Sequence, residues 1–151
     1  MRHFIVVLSM CAAAACAPTR VEQPYSLAER KLDADVVDVR GIWRGNSLYR
    51  EGAIARGLDP TQIQLPRKIR DQRPAYPQEA LQTQTSGMVI LDCIIDASGA
   101  PQDCRVVSGP ALLRSAATDA VMAWRWEPLR VAGTPRRAAA LLTVTFSMQT
   151  P

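Results

Sequence analysis

Nine consecutive residues in the middle of the chain constrain its fold most. Met88-Val89-Ile90-Leu91-Asp92-Cys93-Ile94-Ile95-Asp96 is dense in β-branched and apolar side chains, and Asp96-Ala97-Ser98-Gly99 supplies the turn chemistry of a hairpin. Val106 and Val107 then mark a return strand. Setting Asp96 opposite Pro101 places Cys93 against Cys104, Leu91 against Val106 and Asp92 against Arg105. In that register Val89, Leu91, Cys93 and Ile95 share one face with Cys104 and Val106, so hydrophobic pattern and pairing agree.

The flanking segments extend this hairpin into an α+β unit. Leu113, Ala117, Ala120, Val121 and Trp124 recur at helical spacing, Pro110 sits where a first helical turn accepts it, and Pro128 stops the helix. Gly133-Thr134-Pro135 reads as a loop, and Ala138 to Met148, rich in Leu, Val, Thr and Phe, as a third strand. A hairpin, a crossover helix and a returning strand form a split βαβ arrangement with the helix on one sheet face. Upstream, Leu65-Pro66 to Arg73-Pro74 is charged and reads as an exposed lead-in. Pro74-Ala75-Tyr76-Pro77 cannot be regular helix, because the residue before a proline is driven out of the α region. Gln78 to Leu81 fits a short helical turn, and Gly87 opens the first strand.

The 151 residues leave room for one domain once a targeting segment is set aside. Arg2 supplies a positive start, Phe4 to Ala15 is apolar but for Ser9, and small residues surround Cys16, so residues 1–16 read as an export signal. The apolar run stops at Ala17-Pro18, short of the roughly twenty residues a spanning helix needs. Ala13-Ala14-Ala15-Cys16 loosely matches a bacterial lipoprotein box, which would make Cys16 the lipidated first residue of the mature chain; a soluble secreted form is the alternative. Residues 17–65 read as an accessory helical or partly ordered region. Ser26-Leu27-Ala28-Glu29 matches a capping box, Leu32, Val36 and Val39 would share a helix face, and a second helix is expected from Ser47 to about Arg56.

Catalytic constellations are scarce. The sole histidine, His3, lies in the export signal, so the mature chain has none for a triad, a proton shuttle or a usual zinc site. No glycine-rich phosphate loop is present, Asp96 is a turn former, and Asp92 has Arg105 as a cross-strand partner; neither catalytic residues, a metal site nor a cofactor is expected. With Lys+Arg 18 against Asp+Glu 14, both signs are scattered, which argues against nucleic acid as partner. Trp124 and Trp126 read as core packing rather than a ligand-stacking pair. Outside the signal and Cys16, only Cys93 and Cys104 remain; an oxidising compartment and an opposed register favour a structural disulfide over two buried thiols.

Tyr76-Pro77, Gly87-Met88-Val89, Asp96-Ala97-Ser98-Gly99, Val107-Ser108-Gly109, Trp124-Arg125-Trp126-Glu127-Pro128 and Val144-Thr145-Phe146 follow one another at spacings that resemble the C-terminal domain of the TonB energy-transducer family. The resemblance places that domain at residues 66–151. It implies a periplasmic protein-binding module with no chemistry of its own. It also implies that the last strand lies at a sheet edge, where an extended segment of an envelope protein, such as a TonB-dependent outer-membrane receptor, joins by strand addition. The residues concerned are Thr143, Val144, Thr145, Phe146, Ser147 and Met148; coverage of the same edge by a second copy or by the N-terminal region is the alternative. The family's transducers carry a transmembrane helix with a functional His and a long proline-rich spacer, whereas here the 11 prolines are scattered. Where some of them have a receptor-contacting Gln, this chain has Arg73. The expectation is a detached binding module, probed against two rivals: a minimal transducer that keeps its signal as an anchor, and an envelope redox protein using Cys93 and Cys104.

Overall fold

A computed structural model describes residues 30–40, 43–44, 47–48, 53–54 and 56–148, and of residues 43–44 and 47–48 the backbone alone. The export signal, Cys16 and the Ser26 capping box lie outside the described residues. Among those described, the strands are β1 (Val36–Asp38), β2 (Trp43–Arg44), β3 (Ser47–Leu48), β4 (Ile63–Gln64), β5 (Arg67–Arg70), β6 (Gly87–Ile95), β7 (Pro101–Ser108), β8 (Arg125–Glu127), β9 (Leu129–Val131) and β10 (Thr134–Phe146). The helices are α1 (Gln78–Gln82) and α2 (Arg114–Ala123), the second entered through a 3-10 turn at Ala111–Leu113.

The main sheet runs β4-β9-β10-β6-β7, with β1 added in parallel along β10. This is the expected α+β hairpin, crossover helix and third strand. On one face, Leu113, Ala117, Val121 and Trp124 from the helical segment pack against Val89, Leu91, Cys93 and Ile95 of β6 and Leu142, Val144 and Phe146 of β10. Alternation along β6 and β10 drives those side chains to one side, and each fully buried Leu or Val contributes about 1.5–3 kcal/mol of transfer free energy. α2 ends because Trp124 turns extended, at ψ 157°, and the chain leaves into β8 toward Pro128.

Four expectations are corrected. Leu32, Val36 and Val39 do not share a helix: Val36–Asp38 is a strand, since two adjacent valines gain more by pairing with β10 and packing across it. Of the helix expected from Ser47 to Arg56, Ser47–Leu48 is a strand paired with β2, and Ala53 and Ile54 are the described helical residues. β10 begins at Thr134, not Ala138, because the turn is Ala132-Gly133, both at positive φ (49° and 79°), as a two-residue hairpin demands. In the β6–β7 hairpin Ile95, not Asp96, faces Pro101; a bulge near Asp103 (φ 42°) then restores the expected Asp92–Arg105 and Leu91–Val106 pairs. Asp96 caps the turn, its Oδ1 accepting from the Ser98 and Ala100 amides at 2.8 and 2.9 Å.

The opposite sheet face is crossed by residues 30–40. Arg30 donates to the Asp92 and Asp103 carbonyls at 2.8 and 2.9 Å, filling the bulge where the β6–β7 ladder is interrupted. Leu32 and Val36 pack on Ile94 and Ala139, and Arg137 pairs with Asp33 and Asp35. Asp92 therefore pairs with Arg30 and Arg40, at 3.3 and 3.1 Å, rather than with Arg105, which turns to Asp103.

Candidate functional site

β10 has two edges, and they are used differently. One pairs with β6 in continuous antiparallel register from Ala138↔Ile95 to Phe146↔Gly87. On the other, β1 pairs with residues 137–139. Among the described residues, no strand follows β1 along that edge.

The orientation of the backbone groups follows from one hydrogen bond. The Val39 amide donates to the Ala139 carbonyl at 3.0 Å, so Ala139 presents its backbone away from β6. In a strand the N–H and C=O of one residue point to the same side and successive residues alternate. The backbone groups of Leu141, Thr143 and Thr145 therefore face the open side, and those of Ala140, Leu142, Val144 and Phe146 face β6. The same period buries Leu142, Val144 and Phe146 and leaves Thr143 and Thr145 exposed. Hydrophobic alternation thus fixes which backbone groups are offered to solvent.

That open edge lines a groove of about 680 Å³. Thr143, Val144, Thr145, Phe146, Ser147 and Met148 all line it, with residues 147 and 148 just past the end of β10. The facing wall is the extended segment running from Lys68 to Tyr76, with Leu81 and Trp124. Its position is fixed at three points. β5 pairs with β8, where Arg67 grips Glu127 through two hydrogen bonds of 3.0 and 2.6 Å. These bonds raise the Arg67 pKa and lower that of Glu127, both on the surface. The Trp124 indole N–H donates to the Gln72 carbonyl at 2.9 Å. Tyr76 stands edge-on to Phe146 at 5.5 Å between ring centroids, and its hydroxyl donates to the Thr85 carbonyl at 2.7 Å.

The groove's charges are unequal in availability. Lys68 lies 3.7 Å above the Trp124 ring and 3.0 Å from Asp71, so its ammonium is already engaged. Arg73 is exposed, lines the groove and makes no ion pair among the described residues. Pro74 holds the Arg73 backbone extended.

The sequence identified the β10 wall and missed the facing one. Trp124 and Trp126 are buried, 4% and 7% exposed, as core packing requires, yet Trp124 also lines the groove. The charged lead-in is indeed exposed, but Arg67–Arg70 is a strand. Its one local signal is the double-proline segment after Arg73, which stiffens the wall without showing what it faces. Cys93 and Cys104 lie at disulfide distance, with Cα atoms 4.1 Å apart, on the helix-facing side of the hairpin and outside the groove.

A family model described as the Gram-negative bacterial TonB protein C-terminal matches residues 72–148 of the 151. Among solved structures, the solution NMR structure of the Pseudomonas aeruginosa TonB CTD is similar, with 24% identity and a TM-score of 0.47 over 62% of this chain and 94% of that one. No curated protein sequence matches.

Proposed function

Because the chain belongs to the family of Gram-negative bacterial TonB C-terminal domains, we propose that it is a periplasmic binding module that recruits an envelope protein by adding an extended segment of that partner to β10. Domains of this family are envelope domains that work through protein interaction and energy transduction rather than catalysis. The observation that carries the finer reading is the open edge. Backbone groups of Thr143 and Thr145 face a groove already walled on its far side, so an incoming strand would gain hydrogen bonds along its backbone and contacts along its side chains. Thr143, Val144, Thr145, Phe146, Ser147 and Met148 form the contact strand, and a TonB-dependent outer-membrane receptor is a partner of fitting chemistry. Lipidation at Cys16 would hold the module at a membrane, and a disulfide between Cys93 and Cys104 would pin the hairpin beneath β10.

A photoreactive residue at Thr145 tests this in intact cells, with one at Met122 as control, since Met122 is exposed on α2 away from the groove. Strand addition requires envelope proteins to be captured from Thr145 and not from Met122. Capture from Met122 alone would reject the β10 edge.

A further inference from the structure

Resting on that reading of β10, we propose that residues 30–40 form a strap that occupies one end of the acceptor edge, confining an incoming strand to residues 141–148. The strap belongs to the sheet in three ways. It bridges all three central strands: Arg30 ties β7 to β6 through the Asp103 and Asp92 carbonyls, Leu32 packs on Ile94 and Ala139, and Asp33 and Asp35 hold Arg137 of β10. It is buried at its anchor, with Arg30 5% exposed and Asp92 0%. Its last residues run as a strand, β1, in register with residues 137–139, and Val39 enters the main core.

The exit of the strap sets the boundary. Arg40 grips Asp38 through Nε and Nη2 at 2.9 Å each and reaches Asp92 at 3.1 Å, pinning the turn at Arg40 directly after Val39 has bonded to Ala139. Any strand docking on the same edge must start beyond that turn. From residue 141 to residue 148 the edge is about 24 Å long at a rise of ~3.4 Å per residue, enough for a segment of about seven residues. The groove lies along residues 143–148 of this stretch and not along residues 137–139. The occupant is thus a short extended peptide segment, and the strap rejects longer pairing that would otherwise run the length of β10.

Amide hydrogen exchange followed by NMR on the mature chain reads the strap directly. Val39 should be protected while Thr143 and Thr145 exchange at least about tenfold faster, and Ala140, Leu142 and Val144 should stay slow. Two variants release the strap: Arg30→Ala, and the surface pair Asp33→Asn with Asp35→Asn, which leaves no buried charge unpaired. In either, Val39 should lose protection and Ala140 keep it. Synthetic peptides of alternating threonine and valine then read the footprint. The intact chain should bind lengths of about seven and eleven residues within about twofold of one another, and the released variants should prefer the longer by about fivefold.

A Val39 amide as fast as Thr143, or a fivefold preference of the intact chain for the longer peptide, would overturn the proposal. If neither peptide binds while Val39 is protected, strand acceptance fails and the footprint with it, though the strap stands. Concentration-dependent protection of Thr143 and Thr145 would make the edge an interface between copies, again defeating the peptide footprint.

Discussion

Replacing Gly99 by alanine should be far more damaging than replacing Gly133, and the difference isolates the contact that holds the groove's outer wall. Both glycines have positive φ, 86° and 79°, so both substitutions share a backbone strain of about 1 kcal/mol. At Gly133 an added Cβ meets nothing within 4 Å. At Gly99 it would lie 1.7 Å from the Trp126 carbonyl oxygen and 2.7 Å from its carbon, so β8 must retreat by more than an ångström. That retreat breaks the 2.9 Å hydrogen bond from the Trp126 amide to the Gly99 carbonyl, a loss of about 1 kcal/mol. It also loosens Trp126, 7% exposed, whose full truncation would cost about 3–5 kcal/mol. With partial loss of that burial, Gly99→Ala should destabilise by about 4 kcal/mol and Gly133→Ala by about 1, against a typical total of ~5–15. Urea denaturation, compared at equal m, measures both. Because β8 pairs with β5, whose Lys68 covers Trp124, Gly99→Ala should also change tryptophan fluorescence in the folded state. Values for the two variants within about 1 kcal/mol of each other would refute the steric reasoning.

Other consequences are accessible to simpler measurements. Reducing a bond between Cys93 and Cys104, separated by 11 positions, before irradiation should lower stability by about 2–3 kcal/mol in urea unfolding without abolishing partner capture at Thr145. Burial pushes the Asp38 and Asp96 carboxyls up, but hydrogen bonds from Arg40 to Asp38, and from Ser98 and Ala100 to Asp96, hold both below the ordinary 3.8. Their stabilisation is therefore full above that value and lost as the pH falls through the lower folded values, so melting temperature should drop below about pH 4 and stay flat from these groups between about 5 and 7. Arg73→Glu should leave the unfolding free energy nearly unchanged, within about 0.5 kcal/mol, while altering capture at Thr145; an unchanged capture profile would remove Arg73 from the site.

What the sequence shows and what it hides divide along one physical line. β6, α2 and the Ala138 to Phe146 part of β10 are legible because each is long enough for its period to repeat, and the two faces of each have different chemistry. β1, β4, β5, β8 and β9 span two to four residues, too short for any period, and their partners are remote: Arg67 meets Glu127 60 positions on, and Arg137 meets Asp33 104 positions back. The Ala132-Gly133 turn escaped notice because alanine rarely takes positive φ, and Pro135 spoke for a loop although it sits in a strand. Asp92 shows the same limit in a single side chain, since the local register offers it Arg105 while the fold supplies Arg30 and Arg40 from across the sheet. A groove needs two walls. The β10 wall is written locally in Thr-Val-Thr-Phe, whereas the wall from Lys68 to Tyr76 exists only because Trp124 and Glu127 reach back to hold it. If β10 accepts a strand as proposed, that binding rests also on residues outside β10, and a glycine in the opposite hairpin and an arginine in the strap bear on it together with Thr145.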